Sequence, residues 1–190
     1  MNNSKLRDIW AAKYANVDRT LDRMKEVRAA ATAFNANVDA VLKISGKKLQ
    51  ELIEKTGLNW DSLNNIEESK LLQPADVIKG VFKCFSRGIA EEWLTEDKAI
   101  YDWMVDNIGY DRLQMGGQGG IVANALAAAG VSKVYAHTNS LPKLQAEQFL
   151  KLDNLVSFDE NGVEKPACLI NRGQDIPLIH WILEFDKGDE

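Results

Sequence analysis

The segment Arg112-Leu-Gln-Met-Gly-Gly-Gln-Gly-Gly-Ile-Val-Ala-Asn-Ala-Leu-Ala-Ala-Ala-Gly130 constrains the fold more than any other stretch of the chain. It opens as a short strand, turns through four glycines and continues into an alanine-rich helix. Ser132 to His137 then alternates and ends polar, which reads as a second strand. A strand-helix-strand unit of this kind favours a parallel, right-handed α/β arrangement.

The surrounding segments fit that class. Leu6, Ile9, Trp10, Tyr14, Val17, Leu21, Met24 and Val27 fall on one helical face behind the N-cap candidate Ser4, so an amphipathic helix is expected from about 4 to 28. Ala29 to Asn37 loses that period and leads into the polar cluster Asn35, Asn37 and Asp39, as a buried strand does when it delivers polar groups to its carboxyl end. Lys47 to Lys55, Ala75 to Leu94 and roughly 96 to 107 read as helices. In the second of these, Pro74 and Asp76 suit a first turn, where the missing N–H costs nothing and the carboxylate meets the helix dipole. Another helix is expected after Pro142. Leu155 to Phe158, the turn Asp159 to Gly162 and Ala167 to Ile170 resemble a hairpin, and Ile179 to Phe185 one more strand.

Composition removes several classes of function. At 190 residues the chain is long enough for one cored domain, or one domain with a small annex. Its 23 Lys+Arg against 28 Asp+Glu leave a net charge of −5, so nothing draws it toward nucleic acid or anionic lipid. Cys84 and Cys168 stand outside any CxxC pattern, which gives no zinc site and no disulfide framework, and a reducing cytoplasm fits. Apolar stretches such as Ile121 to Val131 are too short to span a bilayer, and the start MNNSKLRD has no apolar signal core.

Four places carry polar chemistry. Gly116-Gly117-Gln118-Gly119-Gly120 lets backbone N–H groups approach a ligand at a helix N-terminus, yet it is neither GxGxxG nor GxxxxGK[ST], and a glycine turn that merely allows tight packing is an equal alternative. Gln118 favours binding, because an amide both donates to and accepts from a hydroxyl. Asn35, Asn37 and Asp39 are explained either as turn chemistry or as hydroxyl ligands, Asn37 and Asp39 pointing to one side of an extended chain. Taken alone, Glu91 and Glu92 read as solvated surface and His180 as a structural histidine in an apolar strand. No serine has a GxSxG context and neither cysteine has a partner motif, so nucleophilic catalysis has no support.

Five motifs occur in order along the chain: Phe34-Asn-Ala-Asn-Val-Asp39, Ile89-Ala-Glu-Glu-Trp93, Met115-Gly-Gly-Gln-Gly-Gly-Ile121, Pro142-Lys-Leu-Gln-Ala-Glu147 and Ile179-His-Trp-Ile-Leu-Glu-Phe185. With them the chain resembles the ADP-dependent glucokinase and phosphofructokinase family. The resemblance implies a ribokinase-like three-layer α/β/α large domain with a small β-rich lid, and a sugar kinase that uses ADP as donor together with Mg²⁺. It implies that Asn37 and Asp39 contact sugar hydroxyls, that Gly117 and Gln118 hold the sugar from the glycine loop, that Glu92 contacts it at its C2 side, and that His180 approaches it from the lid. Residues 1–150 are then the first part of the large domain, with lid elements inserted around 40–75, and 151–190 are mostly lid strands.

Members of that family are much longer. The NxxE magnesium motif, the GxGD motif with its catalytic aspartate and the nucleotide site are expected outside this chain. Asn64-Asn-Ile-Glu67 has the NxxE letters but precedes the sugar motifs, and Gly188-Asp189 lacks the GxGD context. No catalytic residue and no Mg²⁺ ligand is therefore assigned, and the chain alone is expected to be inactive, since phosphoryl transfer needs a base and positive charge on the transferred group. A parallel sheet cut in mid-fold exposes an edge strand and an apolar face, so pairing with a complementary C-terminal chain, with another copy of itself or with the rest of a longer protein is expected. Glu92 and the lid strand, where Trp181 stands in place of an arginine, resemble the glucose-accepting members. Lys165 and Arg172 are candidate contacts for the phosphate of fructose 6-phosphate. The alternatives are a non-catalytic sugar-binding or regulatory module, or one subunit of a split kinase.

Overall fold

The structure, a computed structural model, describes residues 3–64, 71–91 and 97–185. In chain order the elements are α1 (Asn3–Tyr14), α2 (Val17–Met24), β1 (Ala30–Phe34), β2 (Asn37–Lys43), α3 (Gly46–Lys55), α4 (Trp60–Asn64), α5 (Pro74–Arg87) and α6 (Lys98–Asn107). They continue as β3 (Arg112–Gly116), α7 (Gln118–Ala128), β4 (Val134–Thr138), α8 (Lys143–Ala146), β5 (Leu155–Phe158), β6 (Glu164–Pro166) and β7 (Ile179–Glu184), with a 3-10 turn at Ala167–Leu169. This is the mixed α/β fold expected.

Two compact units share the chain, one made of residues up to Asp39 plus Gln114–His180, the other of Ala40–Leu113 and the residues from Trp181 onward. The boundaries fall inside β2, β3 and β7. The first unit holds the sheet β1-β4-β5-β6. β1 and β4 run parallel with Ala30 level with Val134 and Phe34 with Thr138, β5 joins β4 in parallel, and β6 returns antiparallel. Helix α7 packs on β1 and β4, where its buried Gly120, Ala123 and Ala127 present little side chain, which is what the alanine-rich segment is for. Val131, Val134, Leu141, Phe149, Leu155 and Ile170 complete this core.

In several places the structure departs from the expected elements. The strands flanking α7 do not lie in one sheet: β4 pairs with β1 and β5, whereas β3 belongs to the sheet β3-β2-β7. Local sequence predicts a strand but not its partner. The helix expected over 4–28 breaks at Ala15–Asn16, where the Asn16 side chain donates to Ala12 O (3.0 Å) and competes with the helical ladder. The strand expected to be buried is largely exposed, because β1 pairs on one side only among the described residues, and Phe34 is 65% exposed. The hairpin closes earlier than expected, at Glu164–Pro166; Pro166 has no N–H to extend the ladder, and Ala167 and Ile170 turn into the core instead.

In the second unit α3, α4 and α5 surround Ile44, Leu49, Leu52, Ile53, Leu63 and Ile78, while α6 joins Leu42, Val77, Ile100, Met104 and Ile108. Helix α5 stops at Arg87 rather than Leu94 because Gly88 adopts the left-handed conformation (φ +63°) that caps a helix. Four described helices make this unit richer in helix than a β-rich lid. Its extent also differs from the expected 40–75: it runs to Leu113 and resumes at Trp181, and residues 151–180 go with the first unit because β5 and β6 complete that unit's sheet.

Candidate functional site

The polar cluster lies where β1 ends and β2 begins, within the first unit. The two-residue period of a strand turns Asn37 and Asp39 to one side. Asn37 Nδ2 donates to Asp39 Oδ1 across 2.8 Å, as that common side requires. This bond orients the amide, and Asn37 Oδ1 is left buried with no hydrogen-bond partner among the described residues. Asn37 is only 2% exposed. A buried acceptor without a donor costs roughly 1–3 kcal/mol.

The glycine turn lies directly against this pair. A Cβ on Gly116 would overlap the Asp39 carboxylate and the Asn37 amide. Gly117 has φ +74°, and a Cβ on it would come within 2.6 Å of Asn35 O and 2.7 Å of Asn37 Oδ1. The N–H groups of Gly119 and Gly120 both donate to Asn35 O, at 2.8 and 3.3 Å. The turn therefore packs tightly against the polar junction. Gln118, exposed at the first position of α7, borders the same junction.

His180 is exposed on β7, on the face opposite Trp181. Val38 N donates to Leu178 O (2.8 Å) and Ile44 N to Glu184 O (2.8 Å), the constant offset of a parallel pair. In such a pair the N–H reaches the carbonyl one position before its level partner, which sets His180 level with Asp39. Glu92 lies outside the described residues, as do Glu67 and Gly188-Asp189; its neighbour Glu91 makes an ion pair with Lys83 (2.8 Å).

Lys165 and Arg172 belong to the first unit, not to lid strands, and both have protein partners. Lys165 pairs with Asp159 at 2.6 Å, and this bond, with the Val163 N–H, holds the Asp159 carboxyl below its ordinary value. Arg172 donates through Nε and Nη2 to Phe158 O (3.1 and 2.9 Å) and through Nη1 to Thr138 O (3.2 Å). Sequence reasoning missed Gln145, whose buried amide reaches Ala36 O and Ser140 O. The signal was its place in the motif Pro142-Lys-Leu-Gln-Ala-Glu147, in which Gln145 carries no assigned role.

Residues 28–190 match the family described as the ADP-specific phosphofructokinase/glucokinase conserved region. The chain belongs to this family. Among curated relatives, an ADP-specific phosphofructokinase of Pyrococcus abyssi is 35% identical over 161 residues, which is 83% of this chain and 35% of the relative. An ADP-dependent glucose/glucosamine kinase of the same organism is 30% identical over 181 residues, 94% of this chain and 40% of the relative. Among solved structures, the last common ancestor of ADP-dependent phosphofructokinases from Methanosarcinales superposes with a TM-score of 0.72 at 30% identity, covering 99% of this chain and 39% of that one. An ADP-dependent kinase in complex with fructose 6-phosphate and ADPβS gives 0.69 at 28% identity, covering 99% and 36%. The chain thus spans little more than a third of the length of the relatives it matches.

Among the described residues no three His, Cys, Asp or Glu side chains group together, and Mg²⁺ is commonly held by one or two carboxylates with substrate phosphates and water. No described helix is long and apolar enough to cross a membrane.

Proposed function

We propose that this chain is the sugar-holding portion of an ADP-dependent kinase that phosphorylates glucose and/or fructose 6-phosphate, with ADP as donor in the complete enzyme. The observation that carries the proposal is the buried, unpartnered Asn37 Oδ1 beside Asp39, facing a glycine turn with no room for side chains. Two adjacent acceptors suit two adjacent hydroxyls. Asn37 Oδ1 takes one hydroxyl proton and Asp39 Oδ2 the other, while Gln118 donates and accepts at the rim and the Gly117 main chain closes the cradle. His180, level with Asp39, and Glu92 extend the contacts along the sugar, as the family resemblance implies. These groups bind and orient the acceptor. The base and the charge that holds the phosphoryl group belong to the remainder of the enzyme, with Mg²⁺, so this chain alone turns over no sugar. A cytoplasmic role in sugar breakdown goes with this reading.

The remainder, whether a complementary C-terminal chain or the rest of a longer protein, is proposed to seat on the open edge of β1 and on the exposed apolar face of α1 and α2; without it, a second copy is the available cover. Lys165 is proposed as a rim contact for a sugar phosphate. Arg172 is the second such candidate, although its bonds to Phe158 O and Thr138 O give it a structural task as well.

The test is calorimetric titration of the chain with glucose and with fructose 6-phosphate, followed by MgADP and a coupled assay for product. Saturable binding of one sugar without turnover supports the proposal and names the sugar. Binding of neither by this chain, and neither by its complex with a complementary polypeptide, overturns it. Lys165→Ala is expected to weaken fructose 6-phosphate binding and leave glucose binding unchanged.

A further inference from the structure

Gln145 is fully buried, and every hydrogen-bonding group of its side chain is used. Nε2 donates to Ala36 O (2.9 Å) and Ser140 O (2.7 Å), and Oε1 accepts from Leu178 N (3.5 Å). Two carbonyls on one end and an N–H on the other leave a single orientation of the amide. The three partners come from three separate segments. Ala36 O belongs to the peptide that leads into Asn37. Leu178 carries the carbonyl that receives the Val38 N–H, and it lies two positions before His180. Ser140 O also accepts from Thr138 Oγ1 (2.5 Å), and Ser140 Oγ donates to Ile176 O (2.6 Å), so the turn after β4 is bound into the same network.

We infer that Gln145 is a positioning residue for the sugar site: it fixes the peptide before Asn37 and the strand before His180 in one register, so that Asn37, Asp39 and His180 face the ligand together. It touches no ligand itself. The inference rests on the proposed sugar-binding reading for its effect on affinity, while the register it sets is a property of the fold alone. A shift of even part of a residue in β2 relative to β7 would carry the Asn37–Asp39 pair away from His180. Methionine, of similar length but without donor or acceptor, removes all three bonds at once. Glutamate keeps the shape but turns two donors into a charge facing two carbonyls, and regains one donor only when protonated.

The experiment compares the full chain with Gln145→Met, Gln145→Glu and a control, Ser157→Ala. Ser157 is equally buried and donates to Ala136 O (2.6 Å), away from the site. Sugar affinity is read by calorimetry well below the unfolding temperature, and amide hydrogen exchange is read at Val38 and Leu178. The expected result is a loss of at least tenfold in sugar affinity with faster exchange at both amides for Gln145→Met, partial recovery of affinity for Gln145→Glu as the pH falls toward 5, and affinity within twofold of wild type for Ser157→Ala. Unchanged exchange at Val38 and Leu178 in Gln145→Met overturns the inference, and so does an equal affinity loss in the Ser157→Ala control. If the wild-type chain binds no sugar, that failure falls on the proposed function, and the exchange rates still decide the role of Gln145.

Discussion

Asn37 Nδ2 donates to Asp39 Oδ1 across 2.8 Å, and the bond leaves the other end of the same amide, Oδ1, buried with no donor among the described residues. In the proposed sugar-holding role this acceptor is a contact for a ligand hydroxyl. Asp39→Ala removes a half-buried carboxylate and the group that orients Asn37. A hydrogen bond to a charged group contributes about 1.5–3 kcal/mol, so sugar binding should weaken roughly ten- to hundredfold. Calorimetry with glucose and fructose 6-phosphate, beside a circular-dichroism melt, is the check. A variant that binds as wild type, or that merely unfolds, counts against the assigned site. Glu92→Ala should likewise weaken binding and leave the fold intact.

Gly117 couples the same site to the backbone. At φ +74° an L side chain is strained by about 1–3 kcal/mol, and here its Cβ would also press on Asn35 O and Asn37 Oδ1. Gly117→Ala should therefore lower the melting temperature by several degrees and abolish sugar binding. Gly162→Ala is the control. It has a similar φ of +73° but open space around its Cβ position, so it should share the strain and spare the binding. Equal sugar affinity in both variants would show that the close approach at Gly117 serves packing only.

The site was legible where chemistry is local. Asn37 and Asp39 two apart on a strand, and glycines opening an alanine-rich helix, are short-range patterns, and the structure brings them together as the α/β reading expects. Pairing across distance was not legible. Nothing in Arg112–Gly116 says that its neighbour is β2 instead of β4, because strand partners leave no period in the sequence. Gln145 reaches Ala36 across 109 positions for the same reason, and its neighbours Leu144 and Ala146 disguise it as ordinary helix. The break at Asn16 was hidden by an apolar stripe that keeps its spacing through α1 and α2, although a single side-chain bond to Ala12 O marks where the helix turns.

Acid should weaken the first unit at a defined place. Asp159 is held below its ordinary value first by Lys165 and then by the Val163 N–H, and Glu164 first by its bond to Lys133. A carboxyl whose folded value is depressed contributes stability that is present above its unfolded value, about 4, and lost as the pH falls through the folded value. The melting temperature should accordingly drop on going from pH 5 to pH 3. In Asp159→Asn combined with Glu164→Gln that drop should be smaller, because asparagine still accepts the Asn161 and Val163 N–H groups and no carboxyl remains there to protonate. A double variant as acid-sensitive as wild type would place the loss elsewhere.

The exposed apolar face makes the remaining prediction. Leu6, Ile9, Trp10, Tyr14, Val17 and Leu21 keep the spacing of a buried helix face, yet Trp10 is 54% and Tyr14 69% exposed, and β1 pairs on one side only among the described residues. A stripe of this kind rarely stays in water, and an open parallel edge with small residues such as Ala31 and Ala33 invites another strand. In the absence of a complementary polypeptide the chain should therefore self-associate at tens of micromolar in sedimentation velocity. Trp10→Glu with Phe34→Lys places opposite charges on the helix face and on the edge, where they oppose burial while touching none of the sugar-site residues. The double variant should sediment as a monomer, with its sugar affinity kept. If wild type is already monomeric at every concentration and takes up no complementary polypeptide, the helix face and the β1 edge are not an interface.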